Sequence, residues 1–109
     1  MSDGGKDSEH SGAFDGIDRT IHEPARLMIM AYLYVVDSAD FLFLERQTGL
    51  TRGNLSSHLT RLEAAGYVEI TKEFVEKIPR TILRLTPTGR AAFQQYRQGM
   101  KEILDGLPD

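Results

Sequence analysis

Thr51 to Ile70 reads TRGNLSSHLTRLEAAGYVEI, and its two faces do not match. Leu55, Leu59 and Leu62 recur at i, i+4 and i+7, the narrow apolar stripe of a helix that packs on one side only. At 100° per residue the opposite face carries Gly53, Ser57 and Thr60, flanked by Ser56 and Arg61, with Asn54 at the side of the first turn. Thr51 precedes the stripe as a capping residue, and Gly66 stops the helix. The sequence then changes period. YVEITKEFV alternates as a strand with Val68 and Ile70 on one face, and TILRL returns as a second strand with Leu83 and Leu85 inward. EKIPR between them is read as a turn with Pro79 near its tip.

Upstream, TGLT (48–51) offers Gly49 for a sharp turn and Leu50 as an apolar plug, as a helix-turn-helix requires. FLFLERQTG is expected to begin as a short strand at Phe41 and then turn helical, after a DSAD loop. Pro24 suits the first turn of an earlier helix. From Ala25 to Val36 that helix is apolar on nearly every face, Arg26 excepted, so it must be covered all round. A second subunit is expected to cover one side, around Leu27. Thr86-Pro87 opens a last helix carrying Phe93, Tyr96, Met100, Ile103 and Leu107 at spacings of 3, 4, 3 and 4, a dimerisation seam. The order is helix, short strand, helix, helix, hairpin, long helix. That is an α+β chain, mainly α, in the winged helix-turn-helix arrangement.

At 109 residues the chain is long enough for one core and not for two. Residues 1–16 read as a flexible acidic tail, and 17–109 as the winged-helix domain. Within it, 51–66 is the recognition helix, 67–85 the wing hairpin and 87–105 the C-terminal helix. The absence of cysteine removes disulfides and thiolate metal sites. His10, His22 and His58 lack paired-ligand spacing, and no phosphate loop, nucleophile elbow or HExxH is present. Neither an enzyme nor a cofactor or metal is expected. LMIMAYLYVV (27–36) is too short to span a bilayer and the N-terminus has no signal-peptide core, so no membrane partner is expected and a cytoplasmic location follows.

The net charge of −3 hides an uneven distribution. Residues 1–23 hold two basic and six acidic side chains, whereas 51–90 hold seven basic (Arg52, Arg61, Lys72, Lys77, Arg80, Arg84, Arg90) and four acidic. A positive middle is compatible with a phosphate-binding surface. Asn pairs well with adenine and Arg with guanine, Ser and Thr serve base or phosphate, and small residues let a helix sit deep in a major groove. Lys77 and Arg80 at the hairpin end, with Arg84 behind them, could follow phosphates or enter a narrow minor groove. Arg80 leads among these. His58, beside the leucines, is expected to be half-buried, with a packing and backbone-contact role rather than base reading or metal binding.

GLTRGNLSSHLTRLEAAGYVEI followed by PRTILRLTPTGRAAFQQY closely resembles the compact stand-alone winged-helix transcriptional regulators near the MarR and ArsR groups, over about Ile21 to Leu104. The resemblance implies a homodimer on double-stranded operator DNA. It implies a recognition surface of Thr51, Arg52, Gly53, Asn54, Ser56, Ser57 and Arg61, and a wing of Lys77, Pro79 and Arg80. The chain lacks the cysteine- or histidine-rich ligand sets of metal-sensing ArsR proteins and most of the extra helices that frame the MarR effector pocket, so any small-molecule effector is left unassigned. The alternative is a winged-helix module for protein–protein assembly, its third helix meeting a protein instead of DNA.

Overall fold

The computed structural model describes residues 15–108; the acidic tail expected over 1–16 lies almost wholly outside them. Among the described residues the order is α1 (Pro24–Val36), β1 (Ser38–Asp40), α2 (Phe41–Thr48), α3 (Arg52–Ala64), β2 (Val68–Val75), β3 (Ile78–Leu85) and α4 (Pro87–Asp105). The strands form one antiparallel sheet in the order β1-β3-β2. This is a mainly helical winged helix.

Local chemistry sets most of the boundaries. Thr51 Oγ1 accepts from the Asn54 backbone N–H at 3.1 Å, and Thr86 Oγ1 from that of Gly89 at 2.9 Å; each satisfies one of the donors that a helix start leaves open. Gly49 closes α2 in the left-handed region. At the end of α3 the Gly66 N–H bonds to the Glu63 carbonyl and the Tyr67 N–H to the Leu62 carbonyl. That is a Schellman pair, and Gly66 supplies its φ of 81°.

One local expectation fails. Phe41 does not start a strand: β1 is Ser38–Asp40, and Phe41 is already helical. Pairing holds β1 in place, with Ser38, Ala39 and Asp40 opposite Arg84, Leu83 and Ile82. Asp40 also caps α2, accepting from the Phe43 N–H at 2.7 Å.

The core joins Ile29, Met30 and Leu33 of α1, Leu44 of α2, Leu55, Leu59 and Leu62 of α3, Val68, Leu83 and Leu85 of the sheet, and Phe93 and Tyr96 of α4. One polypeptide therefore covers most of α1. Leu27 is half-buried against this core, and within Ala25–Val36 only Val35 and Val36 stand out, at 79% and 40% exposure. The expected heptad seam divides in the same way. Phe93 and Tyr96 belong to the chain's own core, the Phe93 ring 5.0 Å from that of Tyr34. Met100 packs against the core, Ile103 is half-buried, and Leu104 and Leu107 are exposed. Leu107 lies beyond the helix end.

Gly89 fixes how α4 meets the sheet. A β-carbon there would lie 2.1 Å from the Tyr67 carbonyl oxygen. Thr86 locks the same junction, its N–H bonding to Tyr67 O at 3.0 Å and its hydroxyl donating to Gly66 O at 2.6 Å. The glycine of LTPTGR is thus a contact residue.

Candidate nucleic-acid interface

Helix α3 is clamped by its apolar stripe, with Leu55, Leu59 and Leu62 at most 2% exposed. Arg52, Gly53, Asn54, Ser56, Ser57, Thr60 and Arg61 are all exposed on the other side. Among the described residues, the side chains of Asn54 and Ser57 have no hydrogen-bond partner and Arg61 has no ion pair. Thr51 is already occupied as the cap. Thr60 donates to the Ser56 carbonyl at 2.9 Å. Gly53 stands in the open: a β-carbon there would meet no atom within 4 Å.

His58 is half-buried, as its position implied, and packs against the start of α1. Its Nδ1 accepts a hydrogen bond from Arg26 Nη1 at 3.1 Å, since a guanidinium only donates. Arg26 also donates through Nε to the Thr20 carbonyl at 2.6 Å. Glu23, the α1 cap, lies 3.9 Å from His58. Its carboxyl is held below the usual range, chiefly by the bond it accepts from the Arg26 N–H. This cluster ties the middle of α3 to the start of α1.

The hairpin corrects the sequence reading. EKIPR is not one turn: only Glu76 and Lys77 form it, at φ 52° and 67°, both positive as a two-residue type I′ turn requires. Pro79 is already in β3, opposite Phe74. Arg80 is not at a flexible tip. It pairs with Glu73 in register and its guanidinium donates to Asp40 Oδ2 at 2.9 Å, tying β3 to the start of α2. Arg84 lies 3.6 Å from Glu69, and Arg90 pairs with Asp37 at 2.9 Å. Much of the positive middle is therefore neutralised within the fold.

Alternation decides which cations face α3. Val68, Ile70, Lys72 and Phe74 of β2 share a sheet face with Leu85, Leu83, Thr81 and Pro79 of β3, and Arg80 and Arg84 lie on the other face. Between the first face and α3 runs an open groove of about 520 Å³, whose walls include Phe41, Arg52, Ser56, Thr60, Lys72 and Thr81. Arg52 lies against it with its guanidinium 5.6 Å from the Phe41 ring centroid and 3.6 Å from Glu45. Lys72 is exposed and has no ion pair among the described residues. Lys72, absent from the residues that the motifs single out, extends the Val68–Ile70 alternation by one step, and the period of two predicts its side.

Comparison with known proteins agrees with this architecture. Residues 25–104 match the family model described as a winged helix DNA-binding domain. The chain belongs to that family. It is 39% identical over 71 residues to an uncharacterised protein of Methanocaldococcus jannaschii, covering 65% of this chain and 77% of that one. The solved structure of a transcriptional regulator homologue from Pyrococcus horikoshii superposes with a TM-score of 0.82 at 29% identity, covering 94% of this chain and 99% of the other. A MarR-family regulator from Silicibacter pomeroyi shares the fold at a TM-score of 0.59 and 24% identity, over 90% and 61% of the two chains. The likeness to compact winged-helix regulators drawn from the motifs therefore holds. Among the described residues no helix is long and apolar enough to cross a membrane.

Proposed function

We propose that this winged-helix protein is a homodimeric transcriptional regulator that binds double-stranded DNA in a sequence-specific manner, with α3 in the major groove and the hairpin on the adjoining backbone or minor groove. The observation that carries the reading is the composition of the exposed α3 face. It presents Asn54, Ser56, Ser57 and Arg61, with the helix's one acid, Glu63, in its last turn, around a glycine with nothing near it. Free amide, hydroxyl and guanidinium groups on a rigid helix can match the donor and acceptor pattern of base edges. Arg52 and Lys72, facing the groove from its two sides, suit a phosphate strand passing between helix and hairpin.

Of the heptad residues only Leu107 is left exposed, and Val35 and Leu104 join it in support of the dimer reading. Val35, Leu104 and Leu107 are 79%, 58% and 59% exposed, at the ends of α1 and α4. Val35 stands beside the start of α4, where Arg90 bonds to Asp37, and Leu104 and Leu107 mark its far end; exposed apolar side chains along one helix suit a two-fold contact between copies. A two-fold dimer presents two copies of α3, so the site should be an inverted repeat with half-site centres about 34 Å apart or a small multiple of that.

Selection of bound fragments from random and genomic DNA tests the reading. An inverted repeat should emerge, and Asn54→Ala should cost about 1–3 kcal/mol on the selected site while relaxing discrimination. Enrichment of no sequence, with no salt-dependent affinity for any duplex, would give the α3 face to a protein partner instead.

A further inference from the structure

The DNA-facing groove does not explain the end of the hairpin. Phe74, Ile78 and Val75 are 78%, 54% and 41% exposed, and Pro79 beside them is exposed as well. Four apolar residues thus crowd a projecting two-residue turn, where solvent would favour polar side chains. We propose that this tip is an apolar wedge for the minor groove of the DNA held by α3, with Phe74 as the inserting side chain, a role that rests on the DNA-binding reading above.

Two observations choose the occupant. The first is continuity: Phe74 is the next residue after Lys72 on the sheet face that lines the groove beside α3. A duplex lying against α3 and Lys72 meets Phe74 next. The second is reach. Val68 sits in the core and Phe74 is six residues further along β2, about 20 Å at strand rise. Half a turn of duplex, the step from a major groove to the neighbouring minor groove, is roughly 17 Å. The tip's charges do not decide it: Lys77 is exposed without an ion pair among the described residues, and so are Glu73 and Glu76 beside it. Phe, Ile and Pro are side chains that part base steps and bend a duplex once backbone contacts hold the protein in place. Arginine, the usual reader of a narrow minor groove, does not occur in residues 74–79, and the neighbouring Arg80 is held by Asp40.

The test uses the full chain and a duplex obtained by selection, with 2-aminopurine placed at successive steps outside each half-site; its fluorescence rises when it unstacks. Wild type should brighten the probe about half a turn from the half-site centre. Phe74→Ala should abolish that signal and weaken binding about tenfold, with the salt slope unchanged because a ring releases no counterions. Phe74→Leu should keep part of both effects. Since Phe74 is exposed, thermal melts should show both variants folded. The proposal is overturned if Phe74→Ala leaves affinity and fluorescence as in wild type, or weakens binding to a wild type that shows no unstacking. It is also overturned if the substitution lowers the sedimenting mass in the absence of DNA, which would assign the patch to a second copy. Wild type binding no duplex at any salt concentration would be the failure of the DNA reading itself, a different result from binding that ignores Phe74.

Discussion

Gly53→Ala separates what the free protein needs from what a bound duplex needs. Gly53 is the second residue of α3, after Thr51 as cap and Arg52. A glycine there costs up to about 1 kcal/mol relative to alanine, because its backbone loses more freedom on folding. Nothing in the fold requires it. Its φ is not positive, and an added β-carbon would have no neighbour within 4 Å. Alanine should therefore stabilise the free protein by about 0.5–1 kcal/mol, a rise in Tm of a few degrees for a domain of this size. On DNA the sign reverses. If the glycine lets α3 approach base edges closely, a methyl group there overpacks the interface at a cost of about 1–3 kcal/mol, or between fivefold and a hundredfold in affinity. Thermal melting of the free protein, with anisotropy titration on a selected duplex, reads both effects. An alanine variant that is more stable and binds undiminished would refute the placement of Gly53 at the contact. A variant that melts lower would refute the account of the free helix.

Four further outcomes follow from named contacts. Gly89→Ala should destabilise the fold by about 1–3 kcal/mol or more, because its β-carbon would lie 2.1 Å from the Tyr67 carbonyl; urea unfolding checks this. Arg80→Ala should leave the salt slope of DNA binding nearly intact, since its charge is paired with Asp40 on the far face of the wing, whereas Lys72→Ala should flatten it by about 0.9. Leu104→Glu with Leu107→Glu should shift sedimentation from dimer to monomer while the melt stays cooperative, both residues being exposed; an unchanged dimer would move the interface elsewhere. Tyr67 is pushed up to about 12, first by the hydrogen bond its hydroxyl donates to Asp18 and then by burial. The folded state thus favours the protonated phenol, so its stabilising contribution is complete below pH 10 and is lost as pH rises from about 10 to about 12. Tyr67→Phe should make the alkaline limb of a stability profile shallower.

What the sequence made legible was local. As caps and stops Thr51, Thr86, Gly49 and Gly66 need only partners within four residues, and each formed where the sequence placed it. The leucines of α3 needed only a period. The failures are contacts between distant residues. β1 exists because β3 pairs with it, and no signal in Ser38–Asp40 announces that partner. Arg80 looked like a tip residue because Pro79 resembles turn chemistry, but register with β2 puts the turn at Glu76-Lys77, and Asp40, forty residues away, takes the guanidinium. Likewise, the 3-4 spacing along α4 shows an apolar stripe without showing how far the rest of the chain covers it. Phe93 and Tyr96 fall under that cover; Leu104 and Leu107 do not.

The central claim is that the exposed face of α3 enters a major groove, and methylation protection by dimethyl sulfate tests it directly. The reagent attacks guanine N7 in the major groove and adenine N3 in the minor groove, so one footprint reports both. With saturating protein on a selected duplex, guanine N7 should be protected in two clusters about one helical turn apart, and Asn54→Ala with Arg61→Ala should remove that protection first. Bound protein that leaves every guanine N7 reactive would contradict the account.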